Sequence, residues 1–301
     1  MKKYKAKHKT RGKIWGSGIN PKYFHASQLK FYAYLIPIAI VMLLPILYIV
    51  MTAFKPTGEL FAYPPRFFVR HPTLDNFVNL FQVASDSSVP ASRYLINSIV
   101  ATAVVVLATL YLTAGTAFVL SKRNFRGKKT LLEINNMALM FVPIAVAIPR
   151  YFIIVLFGLK NSFWANVIPL LAMPVGIFLV KQFVDQLPNS LVEAAYIDGA
   201  SNFKILFKII IPLIRPALAT VAILAFQSAW TATEASVQYI ESNNLKTFAY
   251  YVSTLSNASG NAVAGAGISA AGSLLIFVPN LVLFIIMQSK VMDTMVHSGI
   301  K

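Results

Sequence analysis

Six long apolar stretches alternate with polar segments along this chain. The first, residues 31–54, reads FYAYLIPIAIVMLLPILYIVMTAF. It is longer than the roughly 20 residues that an α-helix needs to cross the hydrocarbon core of a bilayer. The other five stretches cover residues 94–120, 131–157, 163–180, 209–232 and 264–287. This pattern predicts an all-α, polytopic membrane protein with six transmembrane helices.

Composition supports this fold class. Apolar residues make up 57% of the chain and charged residues 12%, whereas soluble domains have about 45–50% and 25%. The net charge of +17 comes from 27 Lys and Arg against 10 Asp and Glu. These basic residues are divided among short polar segments, as the positive-inside rule requires. They do not form one basic face with interleaved aromatic residues, so we expect no nucleic-acid partner.

The distribution of basic residues also predicts the orientation. With both termini in the cytoplasm, twenty of the 27 Lys and Arg fall in cytoplasmic segments, and Arg150 is the one left at membrane depth. We therefore predict a basic cytoplasmic arm at residues 1–30 and a six-helix domain at 31–289. A short cytoplasmic tail follows at 290–301. The arm and the tail thus lie on the same side of the cell membrane, which the chain crosses several times.

Several kinds of chemistry find no support in the sequence. The chain has no cysteine, so it has no disulfide, thiolate metal site or cysteine nucleophile. Its four histidines are scattered without ligand spacing, and we expect no metal or other cofactor. No GxxxxGK[ST] sequence occurs, so the chain itself should not hydrolyse ATP. We predict a non-enzymatic subunit.

The polar stretch at about 186–216 separates the fourth and fifth apolar stretches. Pro188 should end the preceding helix, and Asn189 or Ser190 should cap a new one. Gly199 should end that helix, because glycine adopts the left-handed conformation common at helix C-termini. Ser201 or Asn202 should cap another helix. The predicted apolar side of the first helix consists of Leu191, Ala194, Ala195 and Ile197. A helix–turn–helix lying along the cytoplasmic face is therefore expected.

The same stretch carries a family resemblance. The sequence has Glu193-Ala194-Ala195, then three residues, then Gly199, and later Pro212 at the end of Ile209-x-x-Pro. This pattern resembles the EAA loop of binding-protein-dependent ABC importer permeases. The run EAAYIDGAS is similar to the maltose-type carbohydrate branch. The FKP tripeptide at 54–56, PTLDNFVNLF at 72–81 and the terminal SGIK are also similar to this branch, the last to the complex-saccharide permeases of Gram-positive bacteria.

The resemblance implies a function and a set of partners. In that family the loop is a coupling helix that docks on the ATPase. The residues that would lie at this contact are Glu193, Ala194, Ala195, Asp198, Gly199 and Pro212. Glu193 has an alternative role as a helix cap only. The implied partners are an ABC ATPase dimer, a second homologous permease and an extracellular solute-binding lipoprotein, and the implied cargo is a carbohydrate, such as an oligosaccharide.

Two other functions remain open from the residues. One is an ABC permease for a non-sugar solute such as a peptide. The other is an ion-coupled secondary transporter, which would carry several ionisable groups inside the membrane.

Candidates for a translocation path are Gln227, Trp230, Glu234 and Arg150. Glu234 has a second interpretation, as an outer-interface residue that contacts the binding protein or the sister subunit. Arg150 either lines the cavity or pairs with another chain. The segment Trp230-Thr231-Ala232-Thr233-Glu234 departs from the Trp-Asn-Glu-Phe that is common in the carbohydrate branch.

Overall fold

The computed structural model describes residues 29–83, 89–258 and 262–299. The predicted arm at 1–30 thus lies outside the described residues except for its last two. Within these residues all regular secondary structure is helical. The chain divides between Tyr48 and Ile49 into two compact units.

Three helices are long: α1 (Leu29–Ala53), α4 (Ala91–Lys122) and α15 (Ala262–Gly299). The shorter helices are α2 (Thr57–Leu60), α3 (Asp75–Val83), α5 (Lys128–Ala138), α6 (Ala147–Leu156), α7 (Ile168–Leu171), α8 (Pro174–Gln186), α9 (Asn189–Ile197), α10 (Asn202–Ile205), α11 (Ile211–Leu213), α12 (Arg215–Trp230), α13 (Glu234–Gln238) and α14 (Phe248–Ala258). There are 3₁₀ turns at Pro143–Val146, Phe163–Asn166 and Asn243–Leu245, and a π-helical turn at Leu206–Ile210. The predicted tail from residue 290 continues α15 as far as Gly299.

The described residues contain three to five candidate membrane spans. Three helical segments in the described chain, Leu29–Ala53, Ala91–Lys122 and Gly265–Gln288, are long and apolar enough to cross a bilayer. Two bent pairs raise this number to five: residues 163–171 with 174–186, bent by 43°, and residues 202–213 with 215–238, bent by 87°. The six-span count is therefore not confirmed.

The predicted third span, 131–157, is not one helix. It divides into α5 and α6, with an irregular segment and a 3₁₀ turn between them. Val142, which precedes Pro143, has extended backbone angles of −74° and 132°, as expected for a residue before proline. Pro149 lies in the first turn of α6, where its missing N–H costs no helical hydrogen bond. The predicted span contains Pro143 and Pro149, and at the first of these prolines the apolar stretch is divided into two helices.

The fifth span begins later than residue 209. The chain bends at Ile214, and α12 starts at Arg215 with Pro216 in its first turn. Proline is favoured there because its fixed φ suits a helix start. Residues 202–213 consequently lie at nearly a right angle to α12.

The largest core cluster joins the C-terminal halves of α4 and α8 to α9, residues 205–214 and α12. Its fully buried members include Ala117, Val180, Val184, Ile210, Ala217 and Val221. At the other end of α4, Tyr94 stacks on Tyr251 of α14, with ring centroids 5.0 Å apart. There Asn97 Nδ2 donates to the carbonyls of Asn244 and Lys246 at 2.7 and 3.0 Å. With 32 residues, α4 extends about 48 Å between these two ends.

Two of the family-like motifs meet beside α15. Asn76 of α3 is 2% exposed and donates from Nδ2 to the carbonyls of Ala53 and Lys55, at 2.9 and 2.7 Å. The rings of Phe54 and Phe77 lie 5.3 Å apart. Gly267 of α15 lets this cluster approach closely, because a Cβ there would lie 2.5 Å from Asn76 Oδ1. The FKP and PTLDNFVNLF motifs therefore form one packed unit.

Candidate functional site

The first helix of the predicted helix–turn–helix is α9. Pro188, with extended angles of −64° and 139°, takes the N-cap position, and no side chain caps this helix. The prediction that Asn189 or Ser190 is the cap is therefore wrong. Asn189 Oδ1 instead accepts a hydrogen bond from Lys122 Nζ at 3.0 Å. Helix α9 therefore begins where it was expected, but the Asn189 side chain binds Lys122 of α4 and does not cap the helix.

Gly199 ends α9, as predicted. Its φ of +72° is left-handed, a conformation that carries a steric cost for residues with a Cβ. The amide of Gly199 donates to the Tyr196 carbonyl at 3.0 Å, and the amide of Ala200 donates to the Ala195 carbonyl at 2.9 Å. These two bonds form a Schellman motif. They reverse the chain sharply, and Ser201 Oγ then caps α10 through the amide of Lys204.

Of the four residues predicted for the apolar side of α9, Ala195 is buried and the other three are exposed. The buried residues are Val192 and Ala195, each 6% exposed and part of the large core cluster. Leu191 and Ala194 are exposed, and Ile197 is 87% exposed. The reason is that residues 192 and 195 and residues 191, 194 and 197 are both spaced as a helical stripe. Periodicity alone did not decide which stripe faces the core.

The EAA residues are therefore divided between the two faces. Ala195 packs into the core of its own chain, whereas Glu193 and Ala194 are exposed. Among the described residues no hydrogen bond or ion pair engages the Glu193 carboxylate, so the structure does not support its alternative role as a cap. Asp198, the C-cap residue of α9, is exposed. Pro212 lies half-buried in α11, close to the bend at Ile214.

Two basic residues at the end of α4 anchor this element, and the sequence did not identify them. Lys122 Nζ donates to the carbonyl of Leu187 at 2.5 Å, just before α9. Arg123 Nη2 donates to the hydroxyl of Tyr196 and to Asn202 Oδ1, and its guanidinium lies 4.9 Å from the centroid of the Tyr196 ring. The basic residues between 122 and 129 count among the cytoplasmic Lys and Arg that predict the orientation. The first two of them also bind both helices of the turn.

At the opposite end of α4, Arg150 and Glu234 pair with each other. Arg150 Nη1 lies 2.9 and 3.0 Å from the two carboxylate oxygens. The hydroxyl of the buried Tyr239 donates to Glu234 Oε1 at 3.0 Å. The two charged side chains remain 29% and 38% exposed. Each thus has a partner within this chain, one that the sequence did not suggest.

A second set of contacts fixes the same region. Lys160 Nζ and Glu241 Oε1 lie 2.8 Å apart. Their hydrogen bond and mutual attraction lower the pKa of the Glu241 carboxyl and raise the pKa of the Lys160 ammonium. Asn161 has a positive φ of 55°. Its backbone N–H donates to the Tyr239 carbonyl, and its side-chain Oδ1 accepts hydrogen bonds from the backbone N–H groups of Glu241 and Ser242. The turn after α6 is therefore tied to the segment after α12.

The remaining path candidates have different surroundings. Trp230 is 7% exposed, and its Nε1 donates to the carbonyl of Ile276 in α15 at 3.0 Å. Its ring also stacks on Phe226. Trp230 thus packs α12 against α15 and does not face an open surface of this chain, while Gln227 is exposed. The structure groups only Arg150 and Glu234 among the four.

The family of binding-protein-dependent transport system inner membrane components matches residues 110–289, which include all of α9 and the bend. The chain belongs to this family. It is therefore a membrane-embedded permease subunit of a transport system, and not an enzyme. This membership sets aside the ion-coupled secondary transporter.

Curated relatives agree along most of the length of the permease. It is 31% identical over 280 residues to the "Probable ABC transporter permease protein YurM" of Bacillus subtilis, covering 90% of this chain and 86% of that protein. It is 28% identical over 270 residues to the arabinooligosaccharides transport system permease protein AraQ of Halalkalibacterium halodurans, covering 88% and 93%. It is also 28% identical to the galactooligosaccharides permease protein GanQ of Bacillus subtilis, covering 87% and 92%.

A solved structure shares the fold. A chain of a bacterial ABC transporter involved in the import of the acidic polysaccharide alginate superposes with a TM-score of 0.74 and 21% sequence identity. The match covers 90% of this chain and 99% of that chain. The predicted all-α ABC permease fold is thereby confirmed.

Replacing Gly199 tests the turn after α9. No atom lies within 4 Å of a Cβ placed there, so the cost of a substitution comes from the positive φ alone. Gly199→Val should cost about 1–2 kcal/mol, which lowers the ratio of formed to unformed turn by roughly five- to thirtyfold. ATP-driven uptake into vesicles should fall while membrane insertion is unchanged. Gly199→Asn is the matched control, because asparagine tolerates this conformation. Wild-type uptake by Gly199→Val would contradict the role of the turn.

Glu234→Gln tests the charged pair. The variant leaves the Arg150 cation without its carboxylate, and because both side chains are partly exposed we expect a loss of about 1–2 kcal/mol in unfolding free energy. Thermal unfolding in detergent measures it. Arg150→Glu combined with Glu234→Arg should recover part of the loss. Glu133→Gln is the control, since the Lys129–Glu133 pair is 4.0 Å long and exposed. Equal effects of Glu133→Gln and Glu234→Gln would contradict a specific pair.

Proposed function

We propose that this permease carries an oligosaccharide, delivered by an extracellular binding protein, and that the exposed face of α9 docks on the ATPase that drives the import. Glu193, Ala194 and Ile197 form that face. The observation that carries the docking proposal is the division of α9 into a buried side and an exposed, unpartnered side.

The buried side supports a mechanical role. An isolated helix of nine residues is marginal in water, so α9 depends on Val192 and Ala195 in the core and on the bonds from Lys122 and Arg123. A helix held in this way moves with the end of α4. Force applied to its exposed face therefore reaches the transmembrane helices.

The exposed side supports a protein partner. Ile197 is an apolar side chain with 87% exposure, and it lies next to the exposed Asp198. Ala194 is small and permits close approach, and Glu193 offers a free carboxylate to a basic group. In this arrangement Gly199 and Asp198 shape the docking element, and Pro212 holds the bend behind it.

The cargo proposal rests on two kinds of support. The names of AraQ and GanQ concern arabinooligosaccharides and galactooligosaccharides in those proteins. In this chain, Arg150 and Glu234 cancel each other's charge through the bidentate pair. A path with this pair along it suits an uncharged saccharide.

Site-specific crosslinking tests the docking face. A photoreactive residue at position 197 should crosslink to the ATPase in the assembled transporter, because that side chain points away from the core. The same residue at position 192 is the control within one helix, and it should crosslink inside the permease or not at all. Crosslinking of the ATPase from 192 but not from 197 would overturn the assignment of faces.

A ligand screen on the cognate binding protein tests the cargo. We expect thermal stabilisation by neutral oligosaccharides, and ATP-dependent uptake of the same sugars by the reconstituted transporter. Peptides serve as the competing class. Stabilisation by a peptide and not by any saccharide would refute the cargo proposal and leave the docking face unaffected.

A further inference from the structure

A groove opens on the surface of the permease between the C-terminal half of α4 and residues 202–206. It encloses about 280 Å³. Its walls are mainly apolar and include Tyr111, Leu112, Gly115 and Phe203, with Arg123 and Asn202 at one end. Leu112 is 44% and Phe203 66% exposed. The ring of Tyr111 also stacks on Phe207, with centroids 6.3 Å apart.

The polar end of this groove carries an unbalanced positive charge. The Arg123 guanidinium contacts the Tyr196 hydroxyl and ring and Asn202 Oδ1, all of them neutral groups. Within the described residues no carboxylate lies within ion-pair distance of Arg123. A guanidinium has five N–H donors in a planar fork that matches phosphate. Donors of Arg123 are thus available for an anion without breaking the anchor of α9.

The length of the groove matches one membrane leaflet. From Arg123 back to Tyr111 is twelve residues along α4, which is about 18 Å. Half of the hydrocarbon core is about 15 Å thick. Since the run 122–129 faces the cytoplasm, the apolar walls lie at the depth of acyl chains in the cytoplasmic leaflet, and Arg123 lies at the level of their headgroups.

We propose that this groove binds an anionic phospholipid, with an acyl chain along α4 and the phosphate on Arg123. Basic pockets between transmembrane helices on the cytoplasmic side suit anionic headgroups. The exposed apolar walls account for the chain and the unpaired guanidinium for the charge, so one ligand satisfies both ends. Because Arg123 also holds Tyr196 and Asn202, the lipid would contact the residue that anchors the coupling element.

Photolabelling of the assembled transporter in vesicles tests this site. Two probes carry the same photoreactive acyl chain, one on phosphatidylglycerol and one on phosphatidylcholine, in bilayers of equal parts of both lipids. We expect the phosphatidylglycerol probe to label residues 111–123 and 202–207 about fivefold more, the effect of one basic residue near an anionic headgroup. Labelling is read by peptide mass spectrometry without ATP or cargo, so its failure would leave the proposed transport function intact.

Four variants separate the two ends of the site. Arg123→Gln should reduce phosphatidylglycerol labelling to the phosphatidylcholine level, and Arg123→Lys should keep most of the preference. Gly115→Leu should abolish labelling by both probes, because a Cβ at Gly115 meets no atom within 4 Å and the side chain would fill the groove. Arg126→Gln, which removes an exposed charge from the same loop, is the control and should leave the ratio unchanged.

Three outcomes would overturn the proposal. Equal labelling by the two probes would remove the charge preference. A preference that survives Arg123→Gln would place the headgroup elsewhere. Absence of labelling, together with crosslinks from position 112 to the sister permease, would show that the groove is a subunit interface.

Discussion

The attachment of α9 to the end of α4 is the interaction on which the functional arrangement depends. A nine-residue helix ending in a left-handed glycine has little stability of its own. Two hydrophobic side chains in the core and the donors of Lys122 and Arg123 hold it. Since α4 is one 32-residue helix, a displacement of α9 acts on a long element whose other end holds the Tyr94–Tyr251 contact.

The bend at Ile214 gives this coupling a direction. The segment 202–213 lies at 87° to the following helix, and its side chains Ile205 and Ile210 are completely buried in the same cluster as Ala217 and Val221. Well-packed cores transmit displacement, because they contain few voids. In the proposed coupling, a push on α9 would therefore move α12, whose Trp230 is bonded to α15. The proposed docking and the observed packing concern the same mechanical path.

The sequence predicted features that depend on local chemistry and failed where distant residues decide. Gly199 as a helix end and Ser201 as a cap follow from backbone preferences, and the family membership followed from the spacing of the EAA residues. The buried face of α9 was predicted correctly only at Ala195, because two stripes of residues fit the helical period. Arg150 and Glu234 are 84 residues apart, and nothing in their spacing indicates a pair. The third span was predicted from length, although Pro143 divides it.

Arg123 and Arg150 differ in how their charges are balanced, and this difference bears on the two proposals. Arg150 has the Glu234 carboxylate within 3.0 Å. Arg123 has neutral partners only among the residues that the structure describes. A charge that folding leaves unbalanced at a membrane surface attracts a counterion from outside the chain. In the proposed arrangement, an anionic lipid on Arg123 therefore contacts the residue that holds α9, the helix proposed to dock on the ATPase.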